Sequence, residues 1–498
     1  MDAILVIDAG TTSMRSILFS PEGLVLNAMQ KHNPPKYYQD GRVEHDPVSW
    51  TNSCLELLRE SAAYAQEYHI RMSAISLTSF RSAVIPVDRE GNPMSKAIMW
   101  QDTRTDDYCN TFADSKHEIF SRTGSIVSSV FSSLKMVWIK EHAPEIYHRA
   151  YKLAGIQDLL LHALTGRLVT DHSLAGRTSL MNITSRSWDK ELLRIYGIDE
   201  EKLCDLVEPS TVAGALTNDA ARRTGLEAGI PVITAGGDQQ CAALGSGLLS
   251  EHAVAANTGT GSYVIGFTYQ PVLDHQQRIF CTPSAVPDAY HLEASMLTTG
   301  TVYRWFCDML NTGKSGNEAI SFRELDREAE SSPPGAHGLL VIPHFLGSGS
   351  PYWNSQASGT MHNMNLSTTR GDIARAILEG IVADICSNID VLESISQPVH
   401  SLRTSGGMAK SHVFNQIQAD MLGRSVIQPK NQETTALGAW ISAALRTGLF
   451  STMKKAYNTA VKDSPPAIFS PRPDEADTYR ELSERRRTLY RSLYAKPH

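Results

Sequence analysis

The chain has 498 residues, of which 42% are apolar and 20% are charged, and its net charge at neutral pH is −7. This length predicts two or three domains, and the slightly acidic balance argues against an extended nucleic-acid surface. Seven scattered cysteines without a C-x-x-C pair indicate a reducing compartment, and we expect a cytoplasmic protein with a small-molecule partner and no membrane span.

A buried strand opens the chain and ends in a carboxylate. Residues 3–7 are apolar, Asp8 follows, and Gly10-Thr11-Thr12 permits a tight turn before a second strand at 16–19. The N–H groups and threonine hydroxyls of such a turn can hold phosphate, and Asp8 can reach a phosphate-bound Mg²⁺ through its water shell. An ordinary hairpin would look the same, so this motif alone leaves both interpretations open.

Short strands and amphipathic helices are predicted for most of the following 180 residues. Pro21-Glu22-Gly23 predicts a turn into a third strand, and Asp46-Pro47 predicts the start of a long helix. The polar segment 168–184 is expected to be irregular. The other predicted elements are strands at 73–78 and 83–87 and helices at 133–142, 156–164 and 190–196.

A second carboxylate is predicted at a strand end near the middle of the chain. An apolar run at 230–235 leads into Gly236-Gly237-Asp238, and small residues from Cys241 onward predict a helix. Asp238 could simply cap that helix, which is the alternative without chemistry.

The opening strand and turn recur after residue 253. Residues 253–266 again form strand, turn and strand, with Asn257-Thr258-Gly259-Thr260-Gly261 at the turn. We therefore predict a duplicated α/β protein with two lobes, residues 1–246 and 247–498, each a mixed sheet flanked by helices, and a cleft between them.

The C-terminal half carries four predicted helices and one misleading motif. Helices are expected from the capping residue Thr369, at 413–421 and at 433–446. Arg485-Arg486-Arg487 is interpreted as the solvent-facing side of a last helix. Gly313-Lys314-Ser315 resembles the end of a Walker A loop, but no strand precedes it and we predict no phosphate site there.

Four segments together resemble the FGGY carbohydrate kinases, glycerol-kinase-like or xylulokinase-like members of the actin/Hsp70-like ATPase superfamily with its duplicated ribonuclease-H-like lobes. They follow one another in this order over most of the chain: Asp8-Ala9-Gly10-Thr11-Thr12 with Arg15, Gly237-Asp238-Gln239-Gln240, Asn257-Thr258-Gly259-Thr260-Gly261, and Ser405-Gly406-Gly407-Met408-Ala409. Each segment is common by chance, and the combination is specific.

The resemblance implies an ATP- and Mg²⁺-dependent phosphotransferase that acts on a hydroxyl group of a small sugar or polyol. Asp238 matches the catalytic base of the family. The implied site residues are Arg81, Trp100, Asp238 and Gln239 for the acceptor, Asp8, Gly10, Thr11, Thr12, Arg15, Gly259, Thr260, Gly300, Gly406, Gly407 and Ser411 for ATP, and Asp8 and Asp238 for the metal. Ser411 departs from the Asn that glycerol kinases often carry there.

Two departures from the glycerol kinase pattern predict an acceptor other than glycerol. Glycerol kinases follow their pocket Arg with Glu and place a Tyr in the next pocket segment, whereas Ser82 follows Arg81 here and Val130 stands where the Tyr would align. Losing hydrogen-bond partners of a buried hydroxyl weakens recognition by about 0.5–1.5 kcal/mol each. We expect a larger polyol, a ketose or a related dihydroxy carbonyl compound.

A second class of protein stays open: an actin-fold ATPase or sugar-responsive regulator that binds nucleotide without phosphorylating a sugar. Such a protein would keep the phosphate turns and would have no need of Asp238, Arg81 or Trp100, so their presence favours the kinase. For partners we expect no nucleic acid and no membrane, and a homodimer is an open alternative for the assembly.

Overall fold

The computed structural model describes residues 1–313, 319–431 and 433–494. Lys314 and Ser315 of the Walker-like segment lie outside the described residues. Two large twisted sheets, one in each half of the chain, organise the fold.

The first sheet belongs to the N-terminal half and has six strands. Their spatial order is β5-β6-β4-β1-β2-β3, with β1, β4 and β6 parallel and the other neighbours antiparallel. The strands are β1 (Asp2–Ala9), β2 (Ser13–Phe19), β3 (Val25–His32), β4 (Arg71–Ser79), β5 (Thr211–Ala215) and β6 (Pro231–Gly237).

The second sheet repeats that plan and adds one strand at its edge. Its order is β9-β10-β8-β7-β11-β12-β13, and β7, β11 and β12 are parallel. The strands are β7 (Ala253–Thr258), β8 (Ser262–Thr268), β9 (Phe280–Pro283), β10 (Tyr290–Met296), β11 (Ser401–Ser405), β12 (Ser425–Gln428) and β13 (Ala467–Phe469). When the second sheet is read from β13 towards β9, its strands follow the same order and run in the same directions as those of the first sheet, with β9 as the additional strand. This agreement confirms the predicted duplication.

Helices cover the sheets, and short strands pair in the connections. The α-helices are α1 (Pro47–Glu67), α2 (Tyr108–Thr111), α3 (Lys116–Thr123), α4 (Ser132–His142), α5 (Pro144–Arg149), α6 (Ile156–Thr165), α7 (His172–Ala175), α8 (Lys190–Tyr196), α9 (Asn218–Thr224), α10 (Asp238–Gly245), α11 (Gly300–Leu310), α12 (Phe322–Ser331), α13 (Arg370–Ile395), α14 (His412–Leu422), α15 (Thr434–Arg446), α16 (Met453–Ala460) and α17 (Ala476–Tyr494). The short strands are Lys36–Tyr37, Val43–His45, Ile85–Val87, Ala97–Ile98, Lys152–Ala154, Val169–Asp171, Asp205–Val207, Leu340–Ile342 and Thr360–His362.

Helix ends follow the local sequence. The Asp46 carboxylate accepts a hydrogen bond from the N–H of Val48, and Pro47 occupies the first position of α1. Thr369 and Asp372 form the capping box that starts α13. These signals act within one turn of the chain, which is why the sequence predicted both helices correctly.

Two helices of the C-terminal half pack on the first sheet. Apolar residues of α15 and α16 share a buried cluster with strands β1 and β2, in which Trp440 lies against Phe19 with ring centroids 6.2 Å apart. Helices α10 and α15 run antiparallel with their backbones in contact, and a Cβ added at Gly438 would lie 1.9 Å from the Cys241 carbonyl oxygen. The two halves therefore interlock instead of meeting only at a cleft.

Two predictions about local structure are wrong. The segment 168–184 is ordered: it contains a strand, helix α7 and a 3₁₀ turn, and most of its side chains are buried. Arg486 does not face solvent, since its side chain is 2% exposed and pairs with Asp384 of α13. In both cases long-range pairing buried polar residues, which periodicity alone does not register.

Candidate active site

The turn between β1 and β2 is the one for which the sequence predicts phosphate binding, and it is called the first phosphate turn for that reason. Asp8 is the last but one residue of β1 and sits opposite Arg15 of β2 in the antiparallel register. Burial and repulsion by Asp238 raise the pKa of Asp8 to about 7. A carboxylate held under such repulsion is suited to bind a cation.

Arg15 reaches across from the first half of the chain to the second. Its guanidinium forms an ion pair with Glu433, which immediately precedes α15. This contact raises the pKa of Arg15. Arg15 therefore joins the first phosphate turn to the helix that packs beneath it.

Asp238 is the first residue of α10, directly after β6. One carboxylate oxygen accepts a hydrogen bond of 2.7 Å from the N–H of Gln239 and lies 3.7 Å from Nε of Arg81. Burial raises the pKa of Asp238, while Arg81 opposes that rise. The cap position of α10 is Gly237, one residue before Asp238, but the Asp238 carboxylate still satisfies the first-turn N–H of Gln239.

Two buried side chains beside β6, those of Asp171 and Ser173, form a hydrogen-bonded relay that holds Gly237, the residue before Asp238. The Ser173 hydroxyl donates to Asp171 at 2.5 Å and accepts a hydrogen bond of 2.9 Å from the N–H of Gly237. Both side chains are fully buried. Sequence reasoning missed this relay because it lies in the segment expected to be irregular.

The second phosphate turn lies between β7 and β8 and is supported from α11. The N–H of Gly300 donates to the Gly259 carbonyl at 3.0 Å, and the N–H of Thr299 donates to the Thr260 carbonyl at 3.0 Å. A Cβ at position 300 would lie 2.3 Å from the Gly259 carbonyl oxygen, so only glycine fits there.

A separate cavity of about 200 Å³ opens beside the end of β11. Gly406 and Gly407 line it together with Lys410 and Gln428. Gly406 has φ of +87°, and the position of a Cβ at Gly407 is free of neighbours. Ser411 lies next to this cavity as the cap of α14, where its hydroxyl accepts a hydrogen bond from the N–H of Phe414.

A larger cavity of about 510 Å³ brings most of the predicted acceptor residues together. Trp100 lines it and donates a hydrogen bond of 3.2 Å from Nε1 to the Thr11 hydroxyl. The side-chain oxygen of Gln239 accepts a hydrogen bond of 3.3 Å from Asn257 at the second turn. The predicted residues on its wall are Thr11, Arg81, Trp100, Asp238, Gln239, Gly259 and Thr260, together with Ser82, Val130 and Trp353.

Two buried charged residues were not foreseen: Arg177 lines this cavity, and Glu293 does not line it but contacts Arg81, which does. Glu293 of β10 is fully buried and accepts hydrogen bonds from Arg81 at 3.0 Å and Thr282 at 2.6 Å. Burial alone would raise the pKa of Glu293, but Arg81 and Arg177 lower it to about 2. A carboxylate between the apolar residues Leu292 and Ala294 of β10 was the signal that could have revealed it.

Arg177 is the second unforeseen charge and lines the same cavity. Its Nη1 lies 3.7 Å from Glu293, and its guanidinium carbon lies 4.5 Å from the centre of the Phe131 ring. Burial and repulsion by Arg81 lower the pKa of Arg177 to about 10, so it remains a cation at neutral pH.

Two repeated mixed sheets with a phosphate turn in each and a carboxylate between them define an actin-like ATPase fold. A solved glycerol kinase from Plasmodium falciparum with ADP superposes with a TM-score of 0.90, at 26% identity and with 100% of this chain and 99% of that chain covered. This likeness extends over the whole chain and establishes the two-lobed fold.

Family models match both halves of the chain. The N-terminal domain of the FGGY family of carbohydrate kinases matches residues 3–245, and its C-terminal domain matches residues 254–447. The chain belongs to the FGGY family of carbohydrate kinases, which makes it a phosphotransferase with an alcohol group as acceptor.

Relatives with different acceptors resemble the chain over nearly its whole length. A glycerol kinase from Koribacter versatilis is 34% identical over 461 residues, with 90% of each chain covered. A xylulose kinase from Bacillus subtilis is 27% identical over 498 residues, with 99% of this chain and 97% of that protein covered. These likenesses establish the class of acceptor, a sugar or polyol, and leave its identity open. Within the described residues, no helix is long and apolar enough to cross a bilayer.

Proposed function

We propose that this protein phosphorylates a hydroxyl group of a small sugar or polyol other than glycerol, with ATP as the donor and Asp238 as the base. The observation that carries the proposal is the 510 Å³ cavity, because Asp238, Arg81 and the second phosphate turn share its wall. Geometry of this kind suits an acceptor hydroxyl placed between a base and a phosphoryl group.

Asp238 accepts the proton of the acceptor hydroxyl in this scheme. The acceptor oxygen forms a bond to the γ-phosphorus while the bond from that phosphorus to the bridging oxygen breaks, which releases ADP. The raised pKa of Asp238 brings this carboxylate closer to the pH at which a base works best. Arg81, 3.7 Å away, keeps it ionised and ready to accept.

The residues at the two turns fit ATP and Mg²⁺. Asp8 and Asp238 influence each other's charge, and no group of three His, Cys, Asp or Glu among the described residues could hold a metal alone. The ion would therefore share its coordination between these carboxylates, water and phosphate, as Mg²⁺ commonly does. When bound it neutralises charge on the transferred phosphoryl group. Gly10, Thr12, Arg15, Thr260, Gly406 and Gly407 would hold the nucleotide.

Ser82 and Val130 support an acceptor other than glycerol. Both line the cavity, and neither supplies the carboxylate or the phenol that a glycerol kinase would place there. Seven free thiols support the cytoplasm as the compartment. The boundary at residues 246 and 247 and a homodimeric assembly stay predictions.

The test is Asp238→Asn, assayed by ADP release with a panel of polyols and ketoses that includes glycerol. Loss of a base typically lowers turnover by about 10²–10⁴, so we expect that loss in kcat with ATP binding retained. Asp219→Asn, which removes an exposed carboxylate from α9, is the matched control and should behave as wild type. Near-normal turnover of Asp238→Asn would contradict the assignment, and glycerol as the best acceptor would contradict the pocket interpretation.

The same assay addresses the alternative class, a nucleotide-binding regulator. Such a protein would bind ATP, and none of the acceptors would increase ADP release. The kinase should release ADP only slowly until an acceptor is added, because its closed site excludes water.

A further inference from the structure

A buried cation without a hydrogen-bond partner faces the acceptor cavity. Arg177 is 5% exposed, and among the described residues neither its Nε nor its Nη1 has a hydrogen-bond partner. An unpaired charge in a protein interior costs several kcal/mol unless something compensates it. The compensation must come either from neighbouring residues or from a ligand.

The neighbouring residues compensate Arg177 only in part. Glu293 attracts it, but Arg177 approaches that carboxylate only to 3.7 Å without a hydrogen bond, and Glu293 is already engaged by Arg81, Thr282 and Gln240. Arg81 adds repulsion. The face of Phe131 supplies a further, weaker attraction.

Ser82 is a neighbour of Arg177 on the wall of the cavity. The Ser82 hydroxyl donates to the backbone carbonyl of Arg177 at 3.3 Å. Both residues line the cavity, and the short side chain of Ser82 brings no negative charge to it. The space beside Arg177 is therefore both open and positively charged.

We propose that Arg177 binds a carboxylate group of the acceptor, so that the acceptor is a polyhydroxy acid rather than a neutral polyol. A guanidinium matches a carboxylate through two parallel N–H···O bonds, and hydrogen bonds between charged groups are stronger than those between neutral groups. Asp238 lines the same cavity and receives the hydroxyl to be phosphorylated. The binding of a carboxylate by Arg177 does not depend on the proposed kinase function, whereas the phosphorylation of a hydroxyl of the same molecule rests on it.

Matched pairs of ligands test the inference. Aldonates of four to six carbons are each compared with the alditol of equal length, first by calorimetric binding without nucleotide and then by ADP release. We expect wild type to prefer one aldonate to its alditol by about tenfold to a hundredfold in Kd and in kcat/KM. Arg177→Gln should lose that preference and keep its KM for ATP within about threefold.

A second variant shows whether the effect of Arg177→Gln could come only from a loss of stability. Ser82→Glu places a carboxylate beside Arg177, so it should raise the Tm while abolishing the preference for the aldonate. Arg167→Gln removes an exposed arginine of the same half of the chain, whose side chain donates to the Ala213 carbonyl. It should change neither the preference for the aldonate nor the KM for ATP.

The outcomes separate this inference from the proposed function. Equal binding of aldonates and alditols by wild type would overturn the inference, and the kinase function would stand if neutral polyols released ADP. A rise in KM for ATP in Arg177→Gln without loss of acceptor preference would also overturn it, because Arg177 would then serve the phosphates. Arg177-dependent binding of an aldonate without any ADP release would support the inference and contradict the kinase.

Discussion

Glu293 is the residue on which the charge balance of the acceptor cavity depends. It is fully buried and lies within 4 Å of two arginines. Removing one member of a buried ion pair typically destabilises by about 3–5 kcal/mol, because the remaining charge is left unpaired. We therefore expect Glu293→Gln to lower the free energy of unfolding by about that amount at neutral pH.

The pH dependence of that loss follows from the pKa of Glu293. The pKa is about 2 in the folded chain against an ordinary 4.5, so the stability that the carboxylate contributes is complete above pH 4.5 and disappears as the pH falls towards 2. Denaturant unfolding of wild type and Glu293→Gln should give curves that converge on acidification. Glu481→Gln, an exposed change on α17, is the control, and a constant difference at every pH would contradict the assignment.

Carboxylates next to glycine-rich turns were predictable from local sequence, and Arg81 and Trp100 from the family resemblance, whereas Glu293 and Arg177 were predictable from neither. Asp8 and Asp238 each end an apolar run, which local sequence reveals. Glu293 and Arg177 matter because β10 and the segment after α7 come together in space. Their pairing spans 116 positions of sequence, and no local pattern encodes such a contact.

Helix α7 shows how a short polar element can support a catalytic group. Ser173→Ala would leave the buried N–H of Gly237 without a partner, at a cost of about 1–3 kcal/mol. Since Gly237 precedes Asp238, we expect kcat to fall by about tenfold while the KM for ATP changes little. Steady-state kinetics and thermal unfolding measure both effects.

An exposed serine provides the comparison for that element. Ser185 shares its hydrogen bond with Ser187 at the surface, so Ser185→Ala should leave both kcat and Tm unchanged. A Ser173→Ala enzyme that loses stability but keeps its full kcat would show that the relay only supports the fold.

Most elements were predictable because their caps and periodicity are local. Helix α8 was predicted at its observed bounds, and α13 begins at its capping box. The prediction for the segment 168–184 failed because its buried polar groups form hydrogen bonds with residues distant in sequence. Asp171, for example, accepts hydrogen bonds from Thr234 and Gln157. Polar composition there reflects a buried network and not a solvent-exposed loop.

The contact between α10 and α15 couples the two halves of the molecule. Gly438→Ala would press a methyl group against the Cys241 carbonyl, at 1.9 Å, and a backbone atom has no room to yield. We expect the helices to separate and the protein to lose several kcal/mol of stability. Because Asp238 is the first residue of α10, we also expect the KM for both substrates to increase. Gly245→Ala on the facing helix should act alike, because its Cβ would lie 1.9 Å from the Thr434 carbonyl oxygen.

A glycine with more room serves as the control for these two changes. A Cβ at Gly155 would meet only the Asp158 carboxylate, at 3.3 Å. Gly155→Ala should therefore cost little stability and leave both KM values close to wild type. Unchanged kinetics in Gly438→Ala would mean that the helix contact has no influence on the site.

The packing of α15 and α16 on the first sheet bears on how this chain descended from a duplicated ancestor. A repeated unit can ordinarily fold by itself. If this chain were cut after residue 246, however, Trp440 and its apolar neighbours would be on one piece, and β1 and β2, which they cover, would be exposed on the other. The C-terminal piece would then carry two apolar helices without the sheet that covers them, and the N-terminal piece would expose one face of its sheet. Although the plan of the sheet is doubled, we expect neither piece to fold stably without the other.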